Sequence, residues 1–253
     1  MLLLIDIGNS NITFAISDDR EILNTLRVDT RPPKDAADYY HKALDNLIEN
    51  CNMPVIDGAV LCSVVSEVSP YIIDAVKERF KVTPIIVDHR INTGLSFKIN
   101  NIQTLGADRI ANATAAYNLY RENLIVIDFG TATTFCTITE DGQYIGGAIM
   151  PGIGISAESL SEKTSGLPLV DLKPPENIPG RDTIDNILIG IVIGHAGAAE
   201  RIINDISKET GKAFSVIATG GFAGLVSPYI KAINHINPSL TLDGLRILYK
   251  LNS

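Results

Sequence analysis

Apolar positions along the chain fall into short runs between turn residues, and the spacing within the runs switches between strand and helix periods. Leu2-Leu-Leu-Ile-Asp-Ile-Gly8 is an apolar stretch closed by glycine, the pattern of a buried strand reaching a turn. Asn11-Ile-Thr-Phe-Ala-Ile16 alternates and predicts a second strand, with a turn at Ser17-Asp-Asp19. From about Asp35 to Asn50 the period is helical, placing Ala36, Tyr40, Ala43, Leu44 and Leu47 on one face. Gly58 to Val65 predicts the next strand. Ser69-Pro70 then predicts a helix start, with Ser as the cap and Pro in the first turn. Thr83 to Asp88 reads as a strand, and the Ala-rich stretch from Gly106 to about Arg121 as a long helix. Leu124 to Gly130 is a further buried strand, with Thr133 to Thr139 as its hairpin partner across Thr131-Ala132. The stretch holding Gly146, Gly147, Pro151, Gly152 and Gly154 reads as a loop, and Leu167 to Arg181 as an irregular connection. Ile184 to Ile206 predicts a helix, Ser215 to Gly221 a strand meeting a glycine turn, and Leu242 to Leu251 a closing helix. Strands alternating with helices predict an α/β fold.

One internal repeat organises these elements. Leu4-Ile-Asp-Ile-Gly-Asn-Ser-Asn11 aligns with Val126-Ile-Asp-Phe-Gly-Thr-Ala-Thr133, 122 residues further on. In both copies an apolar strand delivers an Asp, skips one residue, and turns at Gly into small polar residues. A weaker echo pairs Leu61-Cys-Ser-Val-Val65 with Ile217-Ala-Thr-Gly-Gly221. The repeat predicts two duplicated lobes, residues 1–120 and 121–253, with the two loops facing a cleft.

Composition narrows the classes of function. The 253 residues carry 21 Lys+Arg against 29 Asp+Glu, a formal net charge of -8, with 45% hydrophobic residues. That balance argues against nucleic acid, whose binding needs clustered cations, and against an anionic membrane surface. Cys51, Cys62 and Cys136 never form a Cys-x-x-Cys pair, which argues against a disulfide framework or a zinc site. The opening Met-Leu-Leu-Leu-Ile-Asp has no preceding positive charge and does not read as a signal peptide. The longest later apolar run, Ile187 to Gly194, falls short of the roughly 18 residues that span a bilayer. The expectation is a soluble, cytoplasmic protein.

Two Asp-x-Gly loops suit phosphate and cation chemistry. Gly lets the backbone come close to an anion, and the hydroxyls of Ser10, Thr131, Thr133 and Thr134 add donors. Asp6 and Asp128 repel bare phosphate, so they imply a cation between themselves and the oxygens. Neither a Walker A loop nor a strand-linked Gly-x-Gly-x-x-Gly is present. His41, His89, His195 and His235 lack metal-ligand spacing and read as structural or surface residues.

These loops resemble those of the actin-like ATPase and sugar-kinase superfamily, and along nearly its whole length the sequence resembles the type III pantothenate kinases. The motifs are Asp6-Ile-Gly-Asn-Ser10, Gly106-Ala-Asp-Arg109, Asp128-Phe-Gly-Thr-Ala-Thr-Thr134, Gly146-Gly-Ala-Ile-Met-Pro-Gly152 and Pro179-Gly-Arg-Asp-Thr183. The resemblance implies duplicated actin-like (ribonuclease H-like) lobes with a nucleotide cleft between them. It also implies transfer of the ATP γ-phosphoryl group to pantothenate, the first step of coenzyme A biosynthesis. Asp108 would be the general base, with Gly106, Ala107 and Arg109 holding substrate and Thr183 reaching the site of a neighbouring subunit in a homodimer. Asp6, Ile7, Gly8, Asn9, Ser10 and Asn11, with Gly130, Thr131, Ala132 and Thr133, would bind nucleotide; Gly220 and Gly221 would floor the adenosine site. Asp6 would lie near Mg2+, and Asp128 would hold a monovalent cation, K+ or NH4+. Arg109 beside Asp108 is expected to keep that carboxylate ionised.

The sequence departs from the family at Ile99 and Ile102, where Tyr and Pro are usual, and at Leu188-Ile189-Gly190, where Gln-Ser-Gly is usual. The last change predicts a more apolar subunit contact. Two alternatives stay open: a polyphosphate or nucleotide phosphohydrolase of the same superfamily, and a catalytically weak nucleotide-binding regulator.

Overall fold

Short apolar runs do become strands here, and their pairing partners define two sheets. The computed structural model describes residues 1–18, 20–31, 36–51 and 53–253, with the side chains of 36 and 37 left aside. Asp19, Asp35 and the side chain of Ala36, assigned above to a turn and a helix start, lie outside the described residues. In chain order the first elements are β1 (Leu2–Ile7), β2 (Asn11–Ser17), β3 (Ile22–Asp29), α1 (Ala36–Glu49), β4 (Gly58–Ser63) and α2 (Ser69–Phe80). Then come β5 (Ile85–Ile86), β6 (Ser96–Phe97), α3 (Ala107–Tyr120), β7 (Leu124–Phe129), β8 (Ala132–Ile138), β9 (Gln143–Pro151) and α4 (Ile153–Lys163). The chain ends with α5 (Thr183–Leu188), α6 (Gly194–Thr210), β10 (Ser215–Thr219), α7 (Ala223–Val226), β11 (Ile233–Ile236) and α8 (Leu240–Asn252).

Contacts divide the chain into Met1–Leu119 with Ser239–Ser253, and Tyr120–Pro238. Helix α8 therefore groups with the first unit, whereas sequence order had put residues 239–253 in the second lobe. In the first unit the strand order is β3-β2-β1-β4-β5, with β1 antiparallel to β2 and parallel to β4. Because side chains alternate along a strand, Leu3, Ile5 and Ile7 pack with α1 and α2, while Leu2 and Leu4 pack with α3 and α8. Each such fully buried Leu or Ile contributes about 1.5–3 kcal/mol.

In the second unit the strands run β11-β10-β7-β8-β9, with β7 antiparallel to β8 and parallel to β10. The core on one face joins Ile125, Ile127, Phe129 and Phe135 to residues of α4, α5, α6 and α7. Helices α5 and α6 are continuous through a π-helical turn at Ile189–Ile193. Among the described residues, Thr183–Thr210 is one helix long and apolar enough to cross a membrane. Counting only uninterrupted apolar runs missed this, yet Ile187, Leu188, Ile191, Ala196, Ala199 and Ile203 are core residues of the unit. Leu188 is fully buried, so it adds nothing to a subunit contact; of the altered trio only Gly190 is exposed.

Three further expectations change. Ser69 is the first residue inside α2, following Val68, and its hydroxyl donates to Ser63 Oγ at 2.8 Å. The glycine-rich stretch read as a loop is strand β9, with Gly146 at φ +139° beside a register shift at Thr137/Ile138. The glycines mark a bulge in a strand, not its absence. Strand β3 was missed because exposed Leu23 breaks the alternation.

Candidate active site

In the first unit, β1 carries Asp6 to the end of the sheet and Gly8-Asn9-Ser10 turns the chain into β2. The Gly8 N–H donates to the Asn11 carbonyl at 3.0 Å, so it closes the turn and is not aimed at an anion. Asn9 and Ser10 are exposed, Asn11 is half-buried, and the Ile7 side chain is in the core, leaving Ile7 only its backbone for a ligand. The loop is braced by a residue that no local motif reveals. Buried Thr30 donates its hydroxyl to the Gly8 carbonyl at 2.7 Å and its N–H to the Ser10 carbonyl at 3.2 Å. Tyr40 of α1, itself fully buried, donates to the Thr30 carbonyl at 2.6 Å.

Asp6 is flanked by Cys62 of β4, its parallel partner, whose thiol donates to Asp6 Oδ1 at 3.2 Å. Cys62 is thus both a buried core residue and a polar partner of the aspartate. Burial pushes the Asp6 carboxyl up to about 6; the thiol contact opposes this, the Asp108 charge adds to it, and the Arg27 charge lowers it. Burial, then the Asp6 carboxylate, push the Cys62 thiol well above its usual value. A thiol so disfavoured from ionising keeps its proton and remains a hydrogen-bond donor to Asp6.

Asp108 sits in the first turn of α3, with its Oδ1 accepting the Arg109 N–H at 2.8 Å. A Cβ on Gly106 would fall 2.4 Å from that oxygen, so glycine leaves the carboxylate its place. Burial raises the Asp108 carboxyl, and the Arg109 backbone bond and charge only partly offset it. Arg109 acts in the expected direction, favouring the carboxylate, but desolvation is the larger influence. Ala107 is buried, and Gly106 and Arg109 are half-buried beside it.

In the second unit, β7 carries Asp128 to a tighter turn of Gly130 and Thr131, and Gly130 N–H donates to the Ala132 carbonyl at 3.2 Å. Thr134, not Thr133, pairs across from Asp128. Thr133 is buried on the opposite face, with its Oγ1 2.9 Å from His195 Nε2 in α6. The Thr133 side chain is therefore engaged within the core, and burial lowers the His195 pKa, keeping the ring neutral. Exposed Thr131 and half-buried Ala132 form the open part of the loop. Gly220 has φ +91°, and a Cβ there would meet Asp128 Oδ1 at 2.4 Å and the Phe129 backbone at 2.7 Å. Gly221 follows it, exposed. Thr183 is exposed at the start of α5, where Asp182 caps the helix by accepting the Asp185 N–H at 2.8 Å. Buried Asp185 in turn accepts from Glu176 N–H and Asn177 Nδ2, and these bonds lower its carboxyl pKa while tying the proline-rich segment to α5.

The first unit thus brings together Asp6, Asp108 and Cys62, two carboxylates and a thiol within mutual electrostatic reach. Among the described residues no three His, Cys, Asp or Glu side chains form a self-sufficient metal site. Such a pair suits a hard cation that arrives with phosphate oxygens supplying its other ligands. Thr13, which pairs across from Asp6, and Thr134, across from Asp128, are equivalent hydroxyls; strand register exposes the first, which the motif reading omitted.

Solved structures with the same fold are enzymes and other proteins of low sequence identity. A Campylobacter jejuni protein described as a Baf family transcriptional activator aligns with TM-score 0.60 and 21% identity over 98% of this chain and 97% of its own. An inorganic polyphosphate/ATP-glucomannokinase from Arthrobacter aligns with TM-score 0.55 and 17% identity over 99% and 98%. A ROK hexokinase from Thermus thermophilus gives 0.52 and 12% over 98% and 97%. These likenesses establish duplicated actin-like α/β architecture. The family model described as type III pantothenate kinase matches residues 2–205, which span the Asp6, Asp108 and Asp128 motifs, and the chain belongs to that family of phosphotransferases.

Proposed function

We propose that this protein transfers the γ-phosphoryl group of ATP to the primary hydroxyl of pantothenate, giving 4'-phosphopantothenate. The observation that carries the reading is Asp108: a desolvated carboxylate at the head of α3, in Gly106-Ala-Asp-Arg109, with Asp6 close enough to feel its charge. A raised pKa makes Asp108 a stronger base than a surface carboxylate, and it accepts the alcohol proton as the oxygen attacks phosphorus. Phosphoryl transfer runs through a loose transition state, so orienting the alcohol matters as much as deprotonating it. Arg109 presents a planar donor fork to the pantothenate carboxylate or amide. The Gly8 and Gly130 loops bind the nucleotide phosphates, and Gly220 and Gly221 lie against the adenosine.

Asp6 is the residue that would hold Mg2+, and Asp128, whose Oδ1 lies against Gly220, the one for K+ or NH4+. Bound with ATP, Mg2+ neutralises charge on the phosphate oxygens. Thr183, exposed on α5, serves the pantothenate site of a partner in a homodimer. Cytoplasmic placement accords with a soluble metabolic kinase.

Turnover with ATP and pantothenate, in potassium and in sodium-only buffer, tests the reading. Phosphopantothenate should form, and faster with potassium. ADP released at the same rate without pantothenate would favour the phosphohydrolase; equal rates in both buffers would remove the cation role of Asp128.

A further inference from the structure

Strand register in the first unit aligns four side chains across four strands. Thr13 on β2 pairs with Asp6 on β1 and with Arg27 on β3, and Cys62 on β4 pairs with Asp6 from the other side. Directly paired residues project from one face of a sheet, so Arg27, Thr13, Asp6 and Cys62 form a row. It lies on the face of Leu4 and Ala15, which pack with Ala107 and Ile110 of α3, the helix that begins with Asp108.

Arg27 is exposed and forms no salt bridge among the described residues. An exposed arginine on an outer strand is ordinarily a solvated surface cation. Two observations set this one apart. It stands two strands from Asp6 in the same row, on the sheet face against which α3, with Asp108 in its first turn, packs. The matching row of the second unit runs Ile149, Thr134, Asp128 and Thr219, so the Arg27 position is held there by an isoleucine 64% exposed. The strand therefore does not require a cation at that place, while the face that gathers Asp6 and Asp108 needs positive charge before it can receive a polyphosphate.

We propose that Arg27 is a phosphate-binding residue whose guanidinium pairs with the terminal phosphoryl group of the nucleotide on the Asp6 face. The proposal rests on the kinase reading above and assigns that site its cation. A guanidinium fork matches two phosphate oxygens and stabilises charge spread over the equatorial oxygens during transfer. Lysine keeps the charge but loses the fork.

The test measures ATP and ADP affinity by calorimetry, without pantothenate, for wild type, Arg27→Gln and Arg27→Lys, alongside turnover and melting temperature. Arg27→Gln should weaken ATP binding about tenfold while ADP affinity and melting temperature hold. Arg27→Lys should fall between. An ATP-to-ADP affinity ratio unchanged in Arg27→Gln would overturn the assignment, as would equal losses for both nucleotides. A wild type that binds ATP but leaves pantothenate unmodified would sink the kinase reading while the affinity ratio still reports on Arg27.

Discussion

The hairpins β1–β2 and β7–β8 share one scaffold and carry different chemistry. Their burial sequences match position by position, and each sits between an antiparallel neighbour and a parallel one. Yet the first turns over three residues and the second over two, so Asn11 corresponds to Ala132 and Thr13 to Thr134, an offset of 121 after the turn. The parallel neighbours likewise match with Leu61 opposite Ala218 in the repeat, one step from the alignment read off the sequence. Where the first unit has Cys62 bonded to Asp6, the second has Thr219; where it has Ile12 in the core, the second has Thr133 bonded to His195. The lesson is that burial pattern is what duplication preserves, because it builds the core, whereas positions beside the two aspartates are free to specialise.

Four measurements press on that comparison, beginning with the largest effect. If acid–base work resides in the first unit, Asp108→Asn should cost turnover about 100-fold or more while the protein still folds and melts normally. Near-normal phosphorylation by this variant would put the base elsewhere. Next, Gly220→Ala should destabilise by about 2–3 kcal/mol, because its Cβ meets Asp128 and the Phe129 backbone at a left-handed φ. A variant as stable as wild type in urea would mean that Asp128 is not packed there.

A smaller effect concerns Asp6 in the ligand-free protein. Its folded pKa of about 6 lies above the ordinary carboxyl value of 3.8, so ionisation is costlier folded than unfolded. The stability its protonated form contributes is complete below pH 3.8 and is lost as pH rises through 6. Asp6→Asn should therefore be more stable than wild type at pH 7.5 by about 1–2 kcal/mol, a value reduced because some solvent still reaches the side chain. The gap should close toward pH 4, and thermal melts across that range would reveal a constant gap if the sign is wrong. Last, His195→Phe should cost about 1–2 kcal/mol by leaving the buried Thr133 hydroxyl without its partner. Adding Thr133→Val should recover most of it, since the first unit fills that place with Ile12; a strictly additive loss would show that the pair is not coupled.

Much of this molecule was legible in order along the chain. The strands carrying Asp6 and Asp128, helix α3 and the long Thr183–Thr210 helix all have strong local periodicity. Strands β9 and β11 did not read as strands, because β9 carries two central glycines and β11 is short and largely exposed. The same division runs through the site. Asp6, Asp108 and Asp128 stand in compact motifs, but Thr30 and Tyr40 reach the Gly8 loop from 22 residues and further away, with no signature of their own. Cys62 reaches Asp6 across 56 residues, and His195 reaches Thr133 across 62.

The amino-acid sequence by itself determined the period of each element, the duplicated Asp-x-Gly turns and the family. These are properties of neighbouring residues and survive without knowledge of what packs on them. Only the tertiary structure decided which hydroxyl stands beside each aspartate, because a one-residue change in turn length moves every later side chain along its partner strand. It also decided the charge behaviour of Asp108: adjacency to Arg109 is written in the chain, but desolvation depends on everything folded around the carboxylate, and there it is the larger effect.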